Sequence, residues 1–401
     1  MAVEYGGMRK FSVAERRARI GLRHHLSPAH RAATVEAACE GMVCLHATDP
    51  ATVYLSAWAR VDGLAVADVD RALYAGRSLV KHLAMRRTLF VVPRALLGVV
   101  QTAASQRVAD QERRRLVADV ERAGVATDGL AWLEAACEAA LDALGALGEA
   151  TSSQLRKAAP VLDASVVYAP DKTYGGNQSL APRVLTVLSA SGLVLRGSNA
   201  GGWTTSRPRW ATTAHWLGTD PPPRPPEREA RAELVRRWLH TFGPATPADV
   251  KWWLGSTVTA VRQALADVGA VEIDLDGVGG VALPDDLDEA PAPAPWAALL
   301  PGLDPTTMGW QSRHWYLGPH GPALFDTNGN AGPTAWWDGR VVGGWTQDEG
   351  GEVVVQLLED PGAEGRAALE GEAARLSAWL GGVRIPPRFP SPLSKTKPGA
   401  R

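Results

Sequence analysis

The chain has 401 residues, 45% hydrophobic and 21% charged, with a net charge of −1. At roughly 100–200 residues per domain this is room for two to four globular domains, and near-neutrality excludes a uniformly phosphate-binding surface. Three cysteines with no CxxC pair exclude a disulfide framework and a cysteine zinc site, and no apolar run reaches the ~20 residues that span a bilayer.

The opening residues Met1-Ala2-Val3-Glu4 lack the basic-then-apolar layout of a secretion signal, so a cytoplasmic location is expected. Charge is unevenly spread. Residues 1–31 hold seven Lys or Arg against two acids, whereas 284–290 carry Asp285, Asp286, Asp288 and Glu289. The basic stretch offers a local positive face within a neutral total.

In chain order, helical patterning covers about 12–25, 31–43 and 51–59. Strands follow at 79–83 and 88–92, joined by the turn Met85-Arg86-Arg87, and Pro93 stops the second. A second unit spans about 133–211. One helix runs to Gly148, Thr151-Ser152-Ser153 caps a short helix through Lys157, and after a longer polar loop containing Lys172 a helix runs over 179–190. A strand at 193–196, the turn Asn199-Ala200-Gly201-Gly202 and a returning strand at 203–206 complete it, placing Arg196, Arg207 and Arg209 on the hairpin. The proline run at 221–226 reads as a stiff linker.

The third unit is the most regular. After a helix over 230–241, Gly243-Pro244 breaks the chain, and Thr246-Pro247-Ala248-Asp249 supplies a cap, a first-position proline and an early acid. Thr257 opens a further helix, Gly269 ends it, and strands at 271–275 and 281–283 flank a glycine turn. Helix, helix, helix, strand, turn, strand is the winged-helix order. A second proline-rich linker at 291–295 precedes short strands at 339–346 and 352–358 and a helix over 365–380. The expected fold is α+β: winged-helix units at 1–125, 126–220 and 227–290, a small β-rich, barrel-like domain at 296–384, and a disordered tail at 385–401. Trp252-Trp253 and Trp336-Trp337 read as core, and Asp326 and Asp338 as turn residues.

Several segments carry a resemblance. Cys44-Leu45-His46-Ala47-Thr48-Asp49-Pro50, Tyr54-Leu55-Ser56-Ala57-Trp58-Ala59-Arg60, Met85-Arg86-Arg87-Thr88-Leu89-Phe90 and Phe242-Gly243-Pro244-Ala245-Thr246-Pro247 resemble, in order, segments of the AlkZ/YcaQ family. So do Leu324–Thr334 and Asp338–Trp345 near the C-terminus. That family comprises bacterial tandem winged-helix DNA glycosylases that remove alkylated bases and open interstrand crosslinks. The resemblance implies a monofunctional glycosylase acting on N3- or N7-alkylated purines or crosslinks in double-stranded DNA. It also implies a monomer with no cofactor and no metal, associated with the nucleoid when on DNA. The family motif is Gln, an apolar residue, then Gln or Asp; here His46-Ala47-Thr48 stands in that place.

The chemistry needs little from the protein when the base is already cationic, because the base then leaves neutral. His46 and Thr48, two apart in an extended segment, would share one side and hold a water between them. A histidine ring titrates near neutrality and suits general-base work, and Asp49, extended before Pro50, would supply negative charge to the sugar cation. Against this, His46 can be a packing residue and Thr48 a plain N-cap of the next helix. Arg86, Arg87, Lys172, Arg196, Arg207 and Arg209 are the candidate DNA contacts. Loss of both glutamines keeps open a non-catalytic regulator or lesion sensor, and the neutral charge keeps open a protein-interaction scaffold.

Overall fold

The computed structural model describes residues 8–168 and 176–396. The chain forms two compact units, one from residues up to Asp70 together with those from Ala232 onward, the other from Arg71 to Arg231. The division therefore falls inside the segment expected to be a first winged-helix unit. No helix among the described residues is long and apolar enough to cross a membrane.

In the first unit, the helix order expected over 227–290 is present: Glu227–Phe242, Pro247–Leu254 and Val258–Asp267 precede a hairpin of Val271–Asp274 and Gly279–Ala282. Thr246 and Asp249 form a reciprocal capping box, and the buried Asp249 carboxylate also accepts the amides of Gln311 and Ser312, both at 2.9 Å. The residues before Ser12 add to the hairpin, with Lys10 bridging Asp274 and Phe11 packing on Ile273, Leu275 and Ala282. Trp253 and Trp336 are core residues, as their sequence setting suggests.

The C-terminal part of this unit is not a barrel. Ala297–Leu300, Thr334–Trp337, Arg340–Gln347 and Val353–Leu357 form an open four-stranded antiparallel sheet in that order. The two outer strands do not pair with each other, and the helix Gly362–Leu380 packs against both. The described residues of the expected disordered tail, 385–396, pack against this unit. Ser391 and Leu393 are buried in places kept open by glycine: a Cβ on Gly332 would lie 2.5 Å from Ser391 Oγ, and one on Gly344 2.8 Å from Leu393 Cδ2.

In the second unit, the antiparallel strands run Thr88–Pro93, Leu79–Ala84, Val194–Asn199, Pro208–Thr212, Glu149–Ala150. Helices Gln106–Arg122, Gly129–Leu147 and Ala181–Ala190 bury Leu116, Leu133, Leu144, Val184 and Leu188 in one core. Two expectations need correction. The returning strand is Pro208–Thr212, not 203–206, because Asn199 holds a longer tip: its amide nitrogen donates to the carbonyls of Gly201, Gly202 and Thr205, and its oxygen accepts the Arg207 amide at 2.8 Å. The longer loop after Lys157 contains a ribbon, Ser165–Tyr168 paired with Gly176–Ser179, and Lys172 lies outside the described residues.

Candidate functional site

The His46 segment is fixed by the helix that follows it. Pro50–Trp58 starts with proline at N1, and from Ala51 to Trp58 every residue is buried, so the helix runs through the core rather than along its surface. Polar anchors define its rotation. Thr52 Oγ1 donates to the Gly302 carbonyl at 2.8 Å, Ser56 Oγ to Asp304 at 2.6 Å, and Tyr54 Oη to Asp70 at 2.6 Å. One turn beyond, Arg60 pairs with Asp304 through two hydrogen bonds of 2.9 and 2.8 Å, and both side chains are 0% exposed. Arg60 also donates to Thr306 Oγ1, which touches His24 Nδ1, both at 2.8 Å. Burial holds the His24 ring neutral, well below its ordinary pKa.

The polar residues ahead of this helix differ from expectation. The N-cap is Asp49, whose carboxylate accepts the Ala51 amide at 3.2 Å; Thr48 is not the cap. The Asp49 backbone is extended ahead of Pro50, as expected, but the chain path bends at Thr48 and Asp49, so His46 and Thr48 are not in one straight extended segment. His46 stabilises that bend: its Nδ1 accepts the Thr48 backbone amide at 3.4 Å. That bond ties the imidazole to the turn. His46 is 6% exposed and Thr48 half-buried. Burial pushes the Asp49 carboxyl up, opposed by the Ala51 amide and by Arg388, whose charge and backbone N–H both favour the carboxylate. Asp49 is thus a cap that faces the tail.

The candidate cations divide. The basic excess of residues 9–23 is spent internally. Arg19 and Arg23 both pair with Asp286, Arg9 with Glu15, and Arg16 stacks over Trp315 with its guanidinium carbon 3.9 Å from the ring centre. Asp286, in the acidic stretch after 284, is the counter-charge for Arg19 and Arg23, so these arginines do not build the positive face suggested by the sequence.

The remaining candidates lie in the second unit. Arg86 and Arg87 form a hairpin turn with φ of 56° and 62°, left-handed values that cost a non-glycine residue on the order of 1 kcal/mol each. Arg87 is exposed and held by Glu112 at 3.1 Å, which also binds Arg115 at 2.9 Å. Arg196 pairs across the sheet with Lys81 on one side and Trp210 on the other, its guanidinium 5.3 Å from the Trp210 ring. Arg209, one residue from Trp210, points to the opposite face, and Arg207 is exposed at the base of the Asn199-held tip. Sequence reasoning missed the helix Gln106–Arg122 and with it Arg114 and Arg115; the run Arg113-Arg114-Arg115 was the available signal.

Comparison with known proteins gives three findings. The family model described as DNA glycosylase AlkZ-like matches residues 39–379. A Streptomyces sahachiroi protein named interstrand DNA cross-link repair glycosylase is 30% identical over 215 residues, an alignment covering 51% of this chain and 57% of that relative. The solved structure of Streptomyces sahachiroi DNA glycosylase AlkZ superposes with a TM-score of 0.72, covering 94% of this chain and 99% of that one at 23% identity.

Proposed function

The chain belongs to the AlkZ-like DNA glycosylase family, and on that premise we propose that it hydrolyses the N-glycosidic bond of N3- or N7-alkylated purines, or of purines in interstrand crosslinks, in double-stranded DNA. The observation that carries this reading is the match across residues 39–379, which includes the turn from His46 to Asp49 and the anchored helix behind it. We read the architecture as three winged-helix units, the third being the most regular, on a monomeric, nucleoid-associated cytoplasmic protein.

The chemistry follows from the leaving group. In an alkylated purine that is already cationic, the C1′–N bond breaks with its electron pair going to the base, which departs neutral, so no general acid is required. The sugar cation is then trapped by water. In this reading the His46 ring and the Thr48 hydroxyl hold that water, and one of its lone pairs attacks C1′. The proton lost from the adduct passes to solvent. Asp49, engaged as the helix cap, fixes the turn rather than the cation. Arg86, Arg87, Arg196, Arg207 and Arg209 are read as backbone contacts, with Arg114 and Arg115 added; Lys172 keeps the same role.

The test is direct. Duplex DNA containing 7-methylguanine is incubated with the pure protein, and free base and alkali-labile abasic sites are measured. Both should appear together; a duplex that is bound but releases no base would assign the chain to DNA binding without catalysis.

A further inference from the structure

The first unit contains a cavity of about 370 Å³ that the glycosidic chemistry does not use. Its size lies within the ~300–1,000 Å³ typical of small-molecule sites. Its walls come from the helix Pro50–Trp58, the C-terminal sheet and the tail from Arg384 onward. Leu55, Leu303 and Trp345 form a buried apolar floor, and Phe389 brings a second aromatic ring from the tail. Three charged residues belong to the lining: Asp49, the residue after Thr48, and two arginines of the tail, Arg384, whose guanidinium donates to the Asp348 carbonyl, and Arg388.

This combination selects a ligand class. A floor carrying Trp345 with Phe389 contributed by the tail suits a flat aromatic heterocycle. A carboxylate and a guanidinium in one lining suit an edge that carries donors and acceptors side by side. Guanine has such an edge: O6 accepts from an arginine, and N1–H and the N2 amine donate to a carboxylate. Adenine puts an amine where guanine has O6, and a pyrimidine covers less of the floor. We propose that this cavity is a purine-base site in which Asp49 and Arg388 read a guanine-type edge, and that it takes up the base leaving the DNA. Burial raises the Asp49 carboxyl while Arg388 lowers it, so the arginine helps keep the carboxylate an acceptor. The tail is part of the site because it supplies Arg388 and Phe389, and its hold on Gly332 and Gly344 explains why a proline-rich end is ordered.

The choice of DNA-derived base as the ligand rests on the glycosylase reading; the site itself does not. Full-length protein is titrated with free 7-methylguanine, 3-methyladenine and cytosine, following tryptophan fluorescence and heat. The expected order has 7-methylguanine binding about tenfold tighter than either of the others. Arg388→Ala, an exposed change that leaves thermal melting in place, should weaken it by about tenfold, and a chain ending after Val383 should lose it. Absence of binding, or binding unchanged in both variants, overturns the proposal. Base release from DNA without base binding likewise removes the site and spares the glycosylase reading. Base binding without release keeps the site and removes that reading.

Discussion

Replacing Asp304 by alanine tests how the turn at His46 is held. The Asp304 carboxylate accepts from Ser56 Oγ at 2.6 Å, from the Arg60 guanidinium at 2.9 and 2.8 Å, and from the Thr306 amide at 2.9 Å. Nothing in this set reaches solvent, since Arg60, Asp304, Ser56 and Thr306 are each 0% exposed. Alanine therefore strands a guanidinium whose remaining bonds are to the Ser56 carbonyl and Thr306 Oγ1. Breaking one side of a buried pair costs about 3–5 kcal/mol, whereas replacing both sides by apolar groups is often close to neutral. Urea unfolding followed by tryptophan fluorescence should show that loss for Asp304→Ala. The double variant Arg60→Met with Asp304→Leu should recover most of it. A single variant within about 1 kcal/mol of the parent would refute this account of the anchor.

Three further outcomes are expected. His82 is fully buried and its pKa is lowered from 6.5 to about 4 by desolvation, so the unfolded chain takes up the proton first as pH falls. Stability should decline by about 1.4 kcal/mol per pH unit between 6.5 and 4, and urea midpoints of a His82→Phe variant should lose that share of the slope. Arg87→Ala should make the dependence of log K on log salt shallower by about 0.9 for random duplex DNA, the signature of one phosphate contact; an unchanged slope assigns Arg87 to Glu112 alone. Asn199→Ala should speed hydrogen exchange of the Arg207 amide by about fivefold, since a bond worth about 1 kcal/mol closes that tip.

Local signals in the sequence were readable where the chain settles structure locally. The cap and proline at Thr246 and Pro247, the left-handed end at Gly269, and the hairpin at Met85-Arg86-Arg87 all appear where their chemistry puts them. What the sequence hid was decided by distant partners. The strands Ala297–Leu300 and Thr334–Trp337 are short and pair across a long excursion, so neither stands out, and the sheet they join stays open. The helix Gln106–Arg122 has no side-chain cap at Ser105 and continues from a π turn, which removes the usual start signal. The N-terminal arginines read as a DNA face because Asp286, their counter-ion, lies far along the chain. The tail read as disordered because its prolines are visible in sequence, whereas the room left by Gly332 and Gly344 is not.

At the motif, the sequence identified the place but not the geometry. The sequence presents His46 and Thr48 as an extended pair facing one water; the structure bends the chain there and places the Thr48 amide on His46 Nδ1. That bond ties the His46 ring to the turn. It also gives the central claim a specific handle. Single-turnover release of 7-methylguanine from duplex DNA, compared between the parent and His46→Ala, tests it most directly. The account predicts measurable release by the parent and a loss of at least about tenfold in the variant, the equivalent of one hydrogen bond to the attacking water. Equal release by both proteins, or none by the parent, would contradict it.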